Sequence, residues 1–311
     1  MIVSLVNMDE HILKRTLLET GEHILVASNE AEKAELLPQA DVIISTNRIT
    51  AAEIDAAPRL RMLFILSAGV ETLPFETLRA RHTIVANARG AHGRQMFEHA
   101  LGMMLAFSRK IARSVRNQSS CLWESSQPVE TLEGKTLLIV GMGRIGSYMA
   151  EKAEDFGLNV KGVRRHPNAG DPPYVRGLEQ LPELLPQADF VLILTPLTKD
   201  TFHFFGKNEF SLMKKTSVFL NLSRGDTVDE EALIDALQRG QIAGAGLDVM
   251  HAEPLPPENL LWKMDNVIIT PHTAGFMTDY VGEAMKIFAP NYLAYRNHET
   301  LVTQVDLDDQ Y

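Results

Sequence analysis

Short runs of apolar residues alternate along this chain with stretches whose apolar positions recur every three to four residues. In the first part the runs are IVSLV from Ile2, HILVA from His23, VIIS from Val42, LRMLFIL from Leu60 and TIVA from Thr83. Runs this short and this evenly apolar predict strands covered on both faces. The stretches between them, such as Asp9–Thr20 and Glu30–Leu37, carry helical periodicity. A second series begins with TLLIVG from Thr136 and continues with NVKGV from Asn159, DFVLILT from Asp189, SVFLNL from Ser217, GAGLDV from Gly244 and NVIIT from Asn266. Strand–helix alternation of this kind predicts an α/β fold built on open parallel sheets. Between the two series, Gly93–Asn117 reads as one long helix, long enough to bridge two domains, and turn-rich sequence with Pro128 and Gly134 follows it. A last helical pattern from about Asp279 to Arg296 precedes LVTQVDL, a tail suited to crossing back and completing the first domain. A chain of 311 residues exceeds what one core usually serves. The expected division is residues 1–97 plus 279–311 as a substrate-binding domain and 98–278 as a dinucleotide-binding domain.

Composition narrows the partners. The net charge of -10 leaves no basic surplus of the kind a general nucleic-acid binder uses to neutralise phosphates, although a local positive field can still receive a small anion. No run approaches the ~18 apolar residues that span a bilayer, so no membrane partner is expected. The N-terminus MIVSLVNMDEHILK has no basic region, and Asn7, Asp9 and Glu10 interrupt its apolar residues, so it reads as a strand entering a helix and not as a signal peptide. The single cysteine, Cys121, cannot form an intrachain disulfide, which suits a reducing cytoplasm. In its polar setting NQSSCLWESS it is either a reactive thiol or an ordinary loop residue.

The clearest chemical signal is Gly141-Met142-Gly143-Arg144-Ile145-Gly146, which follows an apolar strand and opens a helical stretch. In that context G-x-G-x-x-G predicts a dinucleotide site. Gly141 allows the tight turn, Gly143 lets the backbone approach a pyrophosphate, and Gly146 lets helix and strand pack closely. The helix N-terminus, with Arg144 and Ile145 in its first turn, then offers N–H groups and a partial positive charge to the phosphates. The end of the next strand usually chooses the cofactor, and there this chain has Gly162-Val163-Arg164-Arg165-His166 with no carboxylate. Arg164 and Arg165 suit the 2′-phosphate of NADP(H), which is expected over NAD(H); the other reading is that one or both are solvated surface charges.

Three later strand ends carry NLSRGDTVDEEAL (Asn221–Leu233), GLDVMHAEPLPPENLLW (Gly246–Trp262) and VIITPHTAG (Val267–Gly275). Together with LEGKTLLIVGMGRIG and ADFVLILTPLTKDTFHFFG (Ala188–Gly206), they closely resemble the D-isomer-specific 2-hydroxyacid dehydrogenase family over most of the chain. The resemblance implies two Rossmann-like or flavodoxin-like parallel-sheet domains with a cleft between them, closing over the substrate, and a homodimer whose contacts include the Gly93–Asn117 helix and the loop around Trp123. It also implies that Arg224 binds the substrate carboxylate and carbonyl oxygen, and that Glu253 pairs with His272. The chemistry needs these residue types. Reduction of a 2-oxo acid builds negative charge on the carbonyl oxygen, which calls for a fixed cation and a proton donor. Arg224 is permanently charged and planar, His272 supplies the proton as imidazolium, and a neighbouring Glu253 favours the charged ring. No metal is called for.

The same resemblance places Thr195 and Pro196 near the cofactor, mainly through backbone, and sets Asp248 against the nicotinamide carboxamide, with capping of its own loop as the alternative. Gly69 and Val70, within Ser67-Ala68-Gly69-Val70-Glu71, match the family turn that offers N–H groups to the substrate carboxylate. The segment from Asn87, NARGAHGRQMFEHA, departs from the family pattern. Arg89 replaces the usual proline and Gln95-Met96-Phe97 the usual Ser-Val-Ala, so Arg89 or His92 either touches the far end of the substrate or is solvated. Glu253 argues against formate oxidation, since formate dehydrogenases carry glutamine there, and 311 residues leave no room for the regulatory domain many phosphoglycerate dehydrogenases add. A 2-ketoacid reductase of the glyoxylate or hydroxypyruvate type is therefore expected. The alternative is a dinucleotide-sensing binding protein of the same fold with little turnover.

Overall fold

In the computed structural model, which describes residues 1–308, each apolar run of both series becomes a strand. In chain order the first series gives β1 (Ile2–Ser4), α1 (Glu10–Thr20), β2 (Ile24–Val26), α2 (Glu30–Leu36), β3 (Val42–Ser45), α3 (Ala51–Asp55), β4 (Met62–Ile65), α4 (Phe75–Ala80) and β5 (Ile84–Asn87). The helices start where the sequence supplies caps: Asp9 accepts the Ile12 N–H ahead of α1, Asn29 that of Glu32 ahead of α2, and Thr50 and Glu53 form a capping box on α3.

After these come α5 (Gly93–Ser108), α6 (Ile111–Ser119), β6 (Thr136–Val140), α7 (Arg144–Asp155), β7 (Asn159–Arg164), β8 (Val175–Gly177), α8 (Leu181–Leu184), β9 (Phe190–Ile193), α9 (Lys207–Leu212), β10 (Val218–Asn221), α10 (Glu230–Gln238), β11 (Gly244–Leu247), β12 (Val267–Ile269) and α11 (Tyr280–Arg296). The chain divides into two units. One is Met1–Ala91 with the described chain from Met277 onward, and the other is His92–Phe276.

The first unit holds a five-stranded parallel sheet in the order β2-β1-β3-β4-β5. Alternation along each strand sends Val3, Ile43, Leu63 and Val85 to one face, and Ile2, Val42, Ile44 and Phe64 to the other. The second face is closed by α11, whose Phe288 meets Phe64 edge-on at 5.3 Å between ring centroids. Beyond α11, Gln304 forms an antiparallel bridge to Ala86, and Thr303 is locked between Asn291 and the Asn87 carbonyl.

The second unit holds a seven-stranded parallel sheet in the order β12-β11-β10-β9-β6-β7-β8, with an apolar core on each face. Its order turns back at β6, which lies between β7 and β9; open α/β sheets place ligands beyond the strand ends at such a point.

Two features differ from the expectation. The long Gly93–Asn117 helix is broken, because Lys110 takes a left-handed backbone (φ 57) between α5 and α6. All of α5 also belongs to the second unit, since Met96, Phe97, Ala100, Met103 and Met104 are buried in that unit's core; the first division therefore falls ahead of the helix and not inside it. Among the described residues, no helix is long and apolar enough to cross a membrane.

Candidate active site

The strands β12, β11, β10, β9 and β6 run parallel and adjacent, so the segments leaving them emerge at one edge of the sheet. Gly141 follows β6, Thr195 follows β9, Arg224 follows β10, Asp248 follows β11 and His272 follows β12. Residues scattered over more than a hundred positions are thereby gathered by topology alone.

The glycine turn has the shape a dinucleotide needs. Gly141 sits at φ 116, and a Cβ there would lie 2.8 Å from the Leu194 carbonyl carbon. At Gly146 a Cβ would lie 2.4 Å from the Gly141 carbonyl oxygen. At Gly143, which caps α7, it would meet nothing within 4 Å, so a side chain would fill an open cradle at the helix N-terminus. Arg144 and Ile145 open that helix. Beside Gly141 lies Thr195, whose buried hydroxyl finds no partner among the described residues, and the Pro196 carbonyl is held by the Thr201 hydroxyl at 2.6 Å. An open cradle beside an orphaned buried hydroxyl fits a bound pyrophosphate and its ribose.

The two arginines after β7 are not equivalent. Arg164 is partly buried and its Nη1 lies 2.9 Å from Asp171, which also accepts the Asn168 N–H at 2.7 Å. Its fork is therefore committed to its own loop. Arg165 pairs with Asp200 at 2.7 Å, with both side chains about two-thirds in solvent (64% and 65%). An exposed pair of this kind is worth only about 0–1 kcal/mol and exchanges readily for another anion.

Glu253 divides its two carboxylate oxygens between two tasks. Oε1 accepts the Met250 N–H at 3.1 Å, which fixes the carboxylate to its own loop. Oε2 lies 2.7 Å from His272 Nδ1. Since a carboxylate only accepts, Nδ1–H donates to it, and Nε2 is the ring nitrogen turned away from that contact. His272 itself stands at φ 55, a region few L residues enter, and its N–H donates to the carbonyls of Asp248 (2.8 Å) and Thr270 (3.1 Å).

Arg224 is held by its backbone. Its carbonyl accepts from Asn221 Nδ2 at 3.1 Å and from the Thr227 hydroxyl at 2.7 Å, and its Nη1 donates to the Ser223 carbonyl at 2.8 Å. At the next residue, Gly225, a Cβ would lie 1.9 Å from the Met250 carbonyl oxygen, so the loops bearing Arg224 and Glu253 pack backbone to backbone.

Asp248 is only 1% exposed, and its carboxylate accepts the Thr270 hydroxyl (2.5 Å) and the N–H groups of Thr273 and Ala274 (both 2.9 Å). These contacts are those of a residue capping the loop that carries His272. Each donor stranded by its loss would cost about 1–3 kcal/mol.

In the first unit, Gly69 and Val70 lie in the turn after β4. The carbonyls of Leu66, Ala68 and Gly69 accept from the Tyr280 hydroxyl, Asn87 Nδ2 and the Ser67 hydroxyl respectively. Burial pushes the Tyr280 phenol up to about 12, which keeps it a donor. Neither residue of the divergent segment is simply solvated: Arg89 is half-buried and donates to the Gln304 carbonyl, while His92 is half-buried with its Nδ1 3.1 Å from the Gly275 carbonyl.

Sequence reasoning passed over Asn221, which is 1% exposed and also accepts from the N–H and hydroxyl of Ser223 through Oδ1. An asparagine closing an otherwise apolar strand was the available signal. It also passed over Asp226, which pairs with His251 between the loops that bear Arg224 and Glu253 and raises that ring's pKa.

Comparison with known proteins agrees with this geometry. Residues 101–274 match the family described as D-isomer specific 2-hydroxyacid dehydrogenase, NAD binding domain. The chain is 33% identical to a glyoxylate reductase of Korarchaeum cryptofilum over 277 residues, covering 85% of this chain and 82% of that one. It is 34% identical to a glyoxylate/hydroxypyruvate reductase B of an Enterobacter species over 250 residues, covering 78% and 77%. A crystal structure of a D-isomer specific 2-hydroxyacid dehydrogenase family protein from Aeromonas salmonicida superposes with a TM-score of 0.81 at 31% identity, covering 99% of each chain. With the glycine turn, the arginine and the Glu–His pair at successive strand ends, the chain belongs to the D-isomer-specific 2-hydroxyacid dehydrogenases, oxidoreductases that bind a nicotinamide adenine dinucleotide and act on the CH–OH group of hydroxy acids.

Proposed function

We propose that this family member reduces a small 2-oxo acid of the glyoxylate or hydroxypyruvate type and uses NADPH in preference to NADH. The observation that carries the reading is the 2.7 Å contact between Glu253 and His272 Nδ1, which leaves Nε2 for proton transfer. The dinucleotide, when bound, supplies the hydride. Gly141, Gly143, Arg144, Ile145, Gly146, Thr195 and Pro196 would hold it, with Asp248 acting from beneath through the loop it caps. Arg224 anchors the acid's carboxylate and faces the charge that gathers on the carbonyl oxygen. His272 delivers a proton to that oxygen, and the Glu253 carboxylate stabilises the imidazolium that gives it up. In the reverse direction neutral His272 takes the hydroxyl proton. Gly69 and Val70 are proposed to direct backbone N–H groups at the acid.

The NADPH preference rests on the residues of the β7 end, Gly162 to His166, which include no carboxylate, and on Arg165, whose partner is exposed and exchangeable. The test is turnover of a panel of 2-oxo acids followed by nicotinamide absorbance with each dinucleotide. Replacing Arg165 by alanine is expected to lower kcat/KM for NADPH about 10- to 100-fold, the size of a lost charge-assisted hydrogen bond, and to leave NADH nearly unchanged. Equal losses with both dinucleotides, or a parent that prefers NADH, would reject the preference. Cofactor binding with no turnover of any acid would favour the dinucleotide-sensing alternative.

We also infer a cytoplasmic homodimer. The single cysteine suits a reducing compartment, and Ile111, Val115, Leu122 and Trp123 expose an apolar surface on and after α6, Trp123 being 93% exposed. Sedimentation should find twice the 34.6 kDa chain mass, in the soluble fraction of cells; a 34.6 kDa species would reject the dimer.

A further inference from the structure

We propose that His92, Gln95 and His99 form a polar stripe on α5 that positions the loop carrying His272. The proposal rests on the reading of His272 as proton donor. His92 immediately precedes α5 and Gln95 and His99 lie within it, and the spacing i, i+3, i+7 gathers the three side chains on one side of the helix's N-terminal end. They reach both ends of the loop from Thr270 to Gly275. At the far end, His92 Nδ1 (3.1 Å) and Gln95 Nε2 (3.4 Å) converge on the Gly275 carbonyl, which can only accept. The ring packs so closely that a Cβ on Gly275 would lie 3.1 Å from His92 Nδ1. At the near end, His99 Nε2 lies 2.9 Å from the Thr270 hydroxyl.

Proton counting fixes the direction of that last bond. The Thr270 hydroxyl has one hydrogen, and it goes to the Asp248 carboxylate, which only accepts. The hydroxyl must therefore receive from His99, so Nε2 of His99 carries a proton. Burial lowers the pKa of His92 against the opposing effect of the Gly275 bond, and the Arg224 charge lowers it further, so the ring donates from Nδ1 as a neutral imidazole.

The loop has reason to need outside support. His272 holds a left-handed backbone, and the loop's internal bonds are few: its N–H groups at 272, 273 and 274 are all engaged by Asp248. Asp248 clamps the loop from the strand side, and the α5 stripe clamps it from the helix side at both ends. A proton donor displaced by about 1 Å loses on the order of a hundredfold in rate, which is the scale on which such support acts. Of the three, Gln95 is a position at which this chain departs from the family pattern.

The test uses the full-length protein with Gln95→Met, His92→Leu and His99→Leu, singly and combined, beside His272→Ala. The stripe variants are expected to lower kcat about 10- to 100-fold, with KM for the acid and Kd for NADPH within about threefold of the parent. Deuterium uptake of the peptide spanning 270–275 should rise. His92→Asn and His99→Gln, which return an N–H near Nδ1 and Nε2 respectively, should recover most of the kcat. Should a leucine variant fail to fold, Gln95→Met and the two amide variants carry the test. Stripe variants with parental kcat and parental uptake at 270–275 overturn the proposal while His272→Ala remains impaired. A fall in NADPH affinity parallel to kcat also overturns it, since that marks general loosening. If His272→Ala itself turns over normally, the reading of His272 fails, and the proposal with it.

Discussion

Replacing His272 by alanine is expected to lower kcat by about 10²–10⁴-fold, the usual size of a general acid's contribution, while NADPH still binds. The imidazole is oriented by a single charged partner, Glu253, whose other oxygen is spent on the Met250 N–H. With Nδ1–H directed at the carboxylate, only Nε2 is placed to exchange a proton. Among the described residues the other side chains bonded to the 270–275 loop are engaged elsewhere: His99 donates to Thr270, His92 and Gln95 donate to Gly275, and the Asp248 carboxylate accepts from Thr270, Thr273 and Ala274. Glu253→Gln should be milder. It keeps an acceptor for Nδ1–H but removes the charge that stabilises the imidazolium. Steady-state rates at saturating acid, with a fluorescence titration of NADPH, separate the two effects. A His272→Ala protein within about fivefold of the parental kcat would remove His272 from the chemistry.

Most strands were legible because they are buried along their length, as β3, β4, β9 and β11 are, which turns each into a near-continuous apolar run. Gly141 to Gly146 was legible because backbone geometry leaves so little choice there: a Cβ at the first or last glycine meets backbone within 3 Å. The break at Lys110 was not. No glycine or proline marks it, and both flanking stretches keep helical periodicity. The three-residue β8 was missed for a related reason, being a short edge strand with Arg176 exposed between two buried neighbours. The unequal standing of Arg164 and Arg165 was hidden as well. It depends on where Asp171 and Asp200 fold, and adjacent arginines look alike in a sequence. The α5 stripe lay in plain view as i, i+3, i+7 polar positions at the start of the helix, interleaved with Arg94 and Glu98. Its meaning required knowing that Gly275 and Thr270 return beneath it.

Arg224→Lys is expected to lower kcat/KM about 10²–10³-fold, the loss found when a preorganised donor to a developing oxyanion is removed. Lysine keeps the charge, so the size of this loss measures geometry. The arginine's Cα is fixed from both sides: Asn221 and Thr227 hold its carbonyl, and Gly225 seats the chain against the Met250 carbonyl, where no side chain fits. From that fixed point the planar guanidinium reaches out while one of its nitrogens remains tied to the Ser223 carbonyl, which limits the rotation of the fork. A lysine from the same Cα carries a point charge on a flexible stem. It cannot hold the Ser223 carbonyl and present two parallel N–H groups to a carboxylate at once. KM for the acid should therefore rise and kcat should fall together, because the same fork anchors the ground-state carboxylate and meets the charge that grows on the carbonyl oxygen. NADPH affinity should stay within about twofold, since the glycine turn and Arg165 lie on other strands. A lysine variant with a raised KM and parental kcat would confine Arg224 to substrate binding and leave the oxyanion to His272 alone.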